Sequence, residues 1–390
     1  MKFFGICFCL LCIMSCEDMN SISQEYFDRG ETFYTGKIRS LQSLSGNNRV
    51  KFLWTVNSDP RITKTVIYWN EGMDSTTVAV NRTQPDSVQL EKVIELPERN
   101  YLFEFVTKDD AGHRSLSVER SVTVYGEKYT ASLPNRDVVS AVYHDDGQLV
   151  IQWNTVASNY CVGNNLNYTN TANQQITRYV PATEETTVIP DWKTGLSYYT
   201  RFAGDIYLDT LDTAAKNLNV IESMPFNGPH ILSADNPCII EARDFDYGGE
   251  GLAYHDVDPT NEPSPYRTAK GDDISRVTIE SGINNVGSIR LEEWLVYTVE
   301  VRDAGVYAAD MNASVNSYCD FYLSVDGKKC ETVQVPANGS YYNWLWVFET
   351  YPQLTQPELR LSAGKHKIRF SVAERRGFNL MSFKFTYIGE

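Results

Sequence analysis

The sequence predicts an all-β chain of tandem β-sandwiches, and three observations predict it. Runs rich in β-branched and aromatic residues recur between Gly, Pro, Asn and Asp, among them 49–56, 63–70, 101–109 and 120–126. No segment sustains a helical period. Aromatic residues are 12% of the chain, with 24 Tyr and 7 Trp, side chains that suit pleated, half-buried surfaces. A length of 390 residues allows two or three domains of ~150 residues each. The net charge of −15 repels phosphate backbones and anionic headgroups, which sets nucleic acid aside as a partner.

The N-terminus reads "MKFFGICFCLLCIMSCEDMN". Lys2 is the charged start, and Phe3 to Met14 is an apolar run too short for a stable spanning helix, so residues 1–15 read as a signal peptide. "IMSC" at Ile13 to Cys16 resembles a bacterial lipobox, which implies cleavage before Cys16 and acylation of that cysteine. Acyl chains anchor by burying CH2 groups at ~0.8 kcal/mol each. Glu17 and Asp18 resemble the surface-export signal of Bacteroidetes lipoproteins, so the expected location is the outer membrane, facing outward. A plain Cys-rich secretory signal is the alternative. Residues 16–32 are polar and read as a tether.

Of eight cysteines, Cys161, Cys238, Cys319 and Cys330 remain in the mature domains, with no zinc-ligand spacing. Cys319 and Cys330 flank a hairpin expected to turn at Asp326-Gly327. That turn pairs Val325 with Lys328 and sets Cys319 opposite Gln334, too far along the strand from Cys330 for a disulfide. Free thiols are expected.

Residues 33–126 resemble a fibronectin type III domain: "LPERNY" at Leu96 to Tyr101 resembles the approach to a tyrosine corner. Residues 137–212 resemble a second copy, with "QLVIQWNT" mirroring "RVKFLWTV" and "DWKTGLSYYTRF" mirroring the corner. The phrases "TFYTGKIRSLQSLSGNNRVKFLWTVNSDPRITKTVIYWN" and "YGEKYTASLPNR" resemble an uncharacterised Bacteroidetes lipoprotein family of tandem fibronectin-like folds, which implies no activity. Residues 213–236 read as a linker containing Pro225 and Pro229.

Residues 237–390 resemble a family 6 carbohydrate-binding module, a jelly-roll sandwich, through "IEARDFDYGGEGLAYHD", "YRTAKGDDI", "NNVGSIRLEEWLVYTVEV", "FYLSVDGKKCETVQVPANGSYYNW" and "GFNLMSFKF" in family order. In "EWLVYTVEV", Leu295, Tyr297, Val299 and Val301 alternate onto one face, as in a half-buried strand. The resemblance implies a cleft of stacking aromatics, one Asn and a carboxylate. Asn379 matches the Asn; Tyr341 and Trp344 match aromatic positions; Ser288 stands where the opposing aromatic is usual, and Ser275 where the carboxylate is. A partly eroded cleft, or a grip supplied by the loop with Tyr254, His255, Asp256, Tyr266 and Arg267, are the two expectations.

The family's structural calcium draws on two acids of "IEAE" and a later Asp. Here Glu241 remains, while Arg243 and Met381 replace the others, so a degraded site and no cofactor or metal are expected, with Arg243 paired to Glu241. Five scattered histidines, with no nucleophile elbow, HExxH or phosphate loop, give no support for catalysis. Glu292 and Glu293 are strand neighbours on opposite faces and cannot serve one bond. The expected function is non-catalytic glycan capture for polysaccharide uptake or a partner enzyme, with a surface protein complex as a further partner. The alternative is a structural or adhesin lipoprotein whose module binds protein or has lost glycan binding. An unrecognised glycoside hydrolase is a third reading.

Overall fold

A computed structural model of the chain describes residues 33–84, 86–156, 158–258, 265–268, 277–280, 285–373 and 378–390. Cys16, its flanking acids, the tether and Ser275 lie outside the described residues. The chain divides into two compact units, residues 1–133 with 202–213, and residues 134–201 with 214–390.

The first unit holds one sandwich. Strands Arg39–Gly46, Arg49–Val56 and Val88–Glu95 form one sheet; Asp74–Ala79, Lys64–Trp69, Arg99–Lys108 and Val118–Val124 form the other. Alternation puts Val50, Phe52, Trp54 and Val56 inside, against Phe103 and Phe105. The buried Trp54 indole donates to Thr65 Oγ1 at 3.2 Å. The Tyr101 hydroxyl donates to the Pro97 carbonyl at 3.0 Å, the expected corner. Residues 202–213 join this unit through an Arg49–Asp209 ion pair and a Tyr129–Tyr207 hydroxyl contact of 3.0 Å.

In the second unit, strands Thr186–Ile189, Leu149–Trp153 and Val138–Tyr143 face Gln175–Pro181, Cys161–Asn170 and Trp192–Phe202 across a core of Ile151, Trp153, Leu166 and Tyr198. The expected second corner takes another form. Tyr198 is fully buried, so its hydroxyl needs a protein acceptor. It finds one in the Arg136 carbonyl at 2.6 Å, not in its own turn, and burial pushes the phenol up to about 12.

The segment read as a linker is woven into both neighbouring sandwiches. Lys216–Asn217 pairs with Ser197 and Tyr198, Ile221–Glu222 runs parallel to Val142 and Tyr143, and His230–Leu232 runs parallel to Val299–Val301. Sheet edges offer unpaired donors and acceptors that such short segments satisfy. Segments of two or three residues carry no readable period.

The C-terminal sandwich has a seven-stranded sheet built around Trp294–Val301, Gly364–Val372 and Cys319–Val325, and a six-stranded sheet built around Cys238–Glu241, Phe378–Gly389 and Gly305–Val315. Leu295, Tyr297, Val299 and Val301 are buried in its core. The hairpin turns where expected: Val325 pairs with Lys328, and Asp326 and Gly327 both take positive φ (46° and 76°). Cys319 lies opposite Val335, one residue beyond expectation, because residues 330–332 leave the ladder. The four described cysteines are free thiols.

Candidate functional site

The outer face of the seven-stranded sheet carries a groove of about 670 Å³. Its floor follows from register. Trp294 and Tyr322 each pair with Ser371, from the two neighbouring strands, and Asp320 pairs with Gln334 one strand further out. Residues opposite one another share a face, so the Trp294, Ser371 and Tyr322 side chains form one row. With strands ~4.8 Å apart, the two aromatic residues sit roughly 10 Å apart across Ser371. Glu292, Lys329, Thr332 and Gln334 complete the rim. Glu292 lines this groove while Glu293 is buried, but neither is on a strand as expected: both precede strand Trp294–Val301, and the turn, with Glu292 at φ 72°, separates them rather than strand alternation.

Two cations tune the aromatic row. The Arg369 guanidinium lies 5.2 Å from the Trp294 ring centroid, and the Lys329 ammonium 3.9 Å from that of Tyr322. Burial acts to raise the Tyr322 phenol, but the Ser371 hydroxyl and the Arg369 and Lys329 charges outweigh it and bring the group below its ordinary value. Aromatic faces beside amides, hydroxyls and carboxylates suit a ligand with C–H faces and a fringe of hydroxyls.

At the loop end of the sandwich, Tyr341 is 41% exposed and Trp344 is half-buried. Asn379, expected to meet a sugar, is 2% exposed and engaged by the protein. Its carboxamide oxygen accepts the Ser288 N–H at 3.2 Å, and its nitrogen donates to the Tyr341 carbonyl at 3.1 Å and to Glu280 at 3.3 Å. It therefore staples the loop that carries Tyr341.

Tyr254, Asp256, Tyr266 and Arg267, expected to grip ligand elsewhere, are engaged by the protein itself. Tyr254 is 6% exposed, pairs with Leu295 and packs edge-on against Phe245. Arg267 is 2% exposed, because its guanidinium lies over Phe226 and Phe245 and donates to the carbonyls of Arg243, Phe245 and Asp246. The Tyr266 hydroxyl donates to Asp244 at 2.6 Å and accepts from Asn227 at 2.6 Å. Asp256 is buried beside Glu293 and accepts the Asp258 N–H. Polar atoms in these residues are consumed internally, which sequence spacing did not reveal.

Arg243 lies 4.1 Å from the Tyr266 ring centroid, and no ion pair joins it to Glu241 among the described residues. The ring offers the guanidinium a flat partner, and burial raises Glu241. Elsewhere Asp256, Asp258 and Glu293 bring one carboxylate oxygen each within 4.8 Å of one another, a set able to hold a cation. Its charge is already met in part: Arg290 pairs with Asp258, Glu293 accepts the Arg290 and Val257 N–H groups, and burial pushes Glu293 up to about 7.

A family model described as a domain of unknown function, DUF4998, matches residues 16–210. A second, described as a carbohydrate binding module (family 6), matches residues 247–387. No curated protein matches the chain. Similar solved structures include CsCBM6-3 from Clostridium stercorarium in complex with cellobiose, at 14% identity over 42% of this chain and 99% of that one, with a TM-score of 0.28. CBM35 from Cellvibrio japonicus Abf62 is similar at 15% identity over 36% of this chain and 93% of that one, TM-score 0.25. A two-domain fibronectin type III segment from chicken tenascin is similar at 8% identity over 47% and 97%, TM-score 0.20.

Proposed function

From a chain that belongs to the DUF4998 family, a domain of unknown function, and that carries a match to family 6 carbohydrate-binding modules, we propose a non-catalytic, surface-anchored lipoprotein that captures glycans. The anchor is acylated Cys16 in the outer membrane, and the glycan is passed to an uptake system or a partner enzyme. The observation that carries the glycan reading is the row of Trp294, Ser371 and Tyr322 across three strands, opening into a groove with acids and an amide at its rim. Aromatic walls take the C–H faces of sugar rings, while Asp320, Gln334 and Glu292 bond the hydroxyls. Tyr341, exposed at the loop end beside the equally accessible Tyr342, is a second contact for a longer chain. Binding in an open groove leaves much of the sugar wet, so the affinity falls in the micromolar to millimolar range, ~4–8 kcal/mol.

A glycan array probed with the full-length protein tests the reading. Retention of a defined polysaccharide class, lost in Trp294→Ala, supports it. An array without any ligand, or a ligand unaffected by Trp294→Ala, contradicts it. Protease shaving of intact cells tests the anchor: release of the sandwiches supports an outward face, and cleavage only after lysis contradicts it.

A further inference from the structure

The second sandwich reaches the central strand of the groove's sheet through the Asp145–Arg369 ion pair. Asp145 sits in the turn between strands Val138–Tyr143 and Leu149–Trp153, 8% exposed, with its carboxylate 3.1 Å from the Arg369 guanidinium. Arg369 belongs to the seven-stranded sheet, two residues before Ser371 on the same face, and lies 5.2 Å from the Trp294 ring centroid. The same turn is seated on the hairpin of the module: a Cβ added at Gly327 would come within 2.4 Å of the Asp146 backbone. Glu222 on Lys365, and the Ser223 carbonyl and hydroxyl on the buried Lys367, extend this contact along the strand that carries Arg369.

We propose that Asp145 is a positioning residue for the groove: it fixes Arg369, which in turn holds the Trp294 ring in its ligand-competent orientation. This rests on the glycan reading above, and it gives part of the DUF4998 region a role in binding. Without Asp145, the guanidinium loses its carboxylate anchor and is held from the groove side alone, by Tyr322, so it shifts toward the groove and away from the indole. The second sandwich is then a structural component of the binding site.

The test uses the full-length protein with Asp145→Asn, which keeps shape and removes charge, and Asp145→Glu, which keeps charge. Retardation is read in gels containing hydroxyethylcellulose or soluble xylan. The Trp294 indole N–H resonance, assigned with Trp294→Phe, is read without ligand. Asp145→Asn should weaken retardation about three- to tenfold and shift the indole resonance while the melting temperature holds, and Asp145→Glu should restore most of both. An indole resonance unmoved by Asp145→Asn overturns the proposal, as does a shifted resonance with unchanged retardation. If neither polysaccharide retards the parent protein, that result counts against the glycan reading alone, and the indole resonance then decides the coupling by itself.

Discussion

The Arg267 guanidinium lies 3.7 Å from the centroid of the Phe245 ring, and the same group donates to the Phe245 carbonyl at 2.7 Å. One side chain thus covers an aromatic face and satisfies the backbone beneath it, next to the buried Asp246. Lysine cannot reproduce the flat, forked donor. Arg267→Lys should destabilise the protein by about 3 kcal/mol in chemical denaturation. A loss below ~0.5 kcal/mol, the range of ordinary surface substitutions, would contradict the scaffold role.

Asn379 ties the Ser288 N–H to the Tyr341 carbonyl. Asn379→Ala leaves buried partners unsatisfied and should cost ~1–3 kcal/mol of stability. It should leave binding in the sheet-face groove within about twofold of the parent, because Asn379 does not line that groove. Calorimetric titration of the variant checks this; a binding loss matching that of the groove variants would restore Asn379 as a ligand contact.

His366 has Asp326 at 2.7 Å from Nδ1 and the Ser362 carbonyl at 2.9 Å from Nε2, two acceptors that only the imidazolium can serve together. The hydrogen bond to Asp326 raises the imidazole above its ordinary value. A raised folded-state value means the stabilisation is complete below the unfolded value of ~6.5 and is lost as pH rises through the folded one. His366→Gln should therefore be less stable than the parent at pH 6, with the gap narrowing toward pH 9. Thermal melts across that range check the sign, and a constant or widening gap would contradict it.

Calcium should not raise the melting temperature. Arg243 and Met381 stand where the resemblance to family 6 modules implies oxygen ligands, and Arg243 rests on Tyr266. Melts with millimolar calcium and with chelator should superimpose. A chelator-reversible rise that disappears in Asp258→Asn would place an ion among Asp256, Asp258 and Glu293. A rise that survives that change would place it at Glu241.

What was legible in the sequence was local. The Asp326-Gly327 turn, the Tyr101 corner and the inward set Leu295, Tyr297, Val299 and Val301 each follow from a few adjacent residues and their period. The groove was not legible, because its row joins Trp294, Ser371 and Tyr322 from three strands in an order set by sheet topology. The one available signal was an aromatic on the outward side of each of two strands. Arg267 was misread for a related reason: a charged residue near a family loop invites a binding role, and only the packing of Phe226 and Phe245 around it reveals a scaffold.

In the proposed function, glycan binds across the sheet-face groove. Calorimetric titration of the array-identified glycan into the full-length parent protein and into Trp294→Ala, Tyr322→Ala and Tyr341→Ala decides whether it does. Losses of at least about tenfold are expected for Trp294→Ala and Tyr322→Ala, with a smaller loss, under about threefold, for Tyr341→Ala. Unchanged affinity in Trp294→Ala and Tyr322→Ala, with binding abolished by Tyr341→Ala, would move the site to the loop end and overturn the groove as the binding surface.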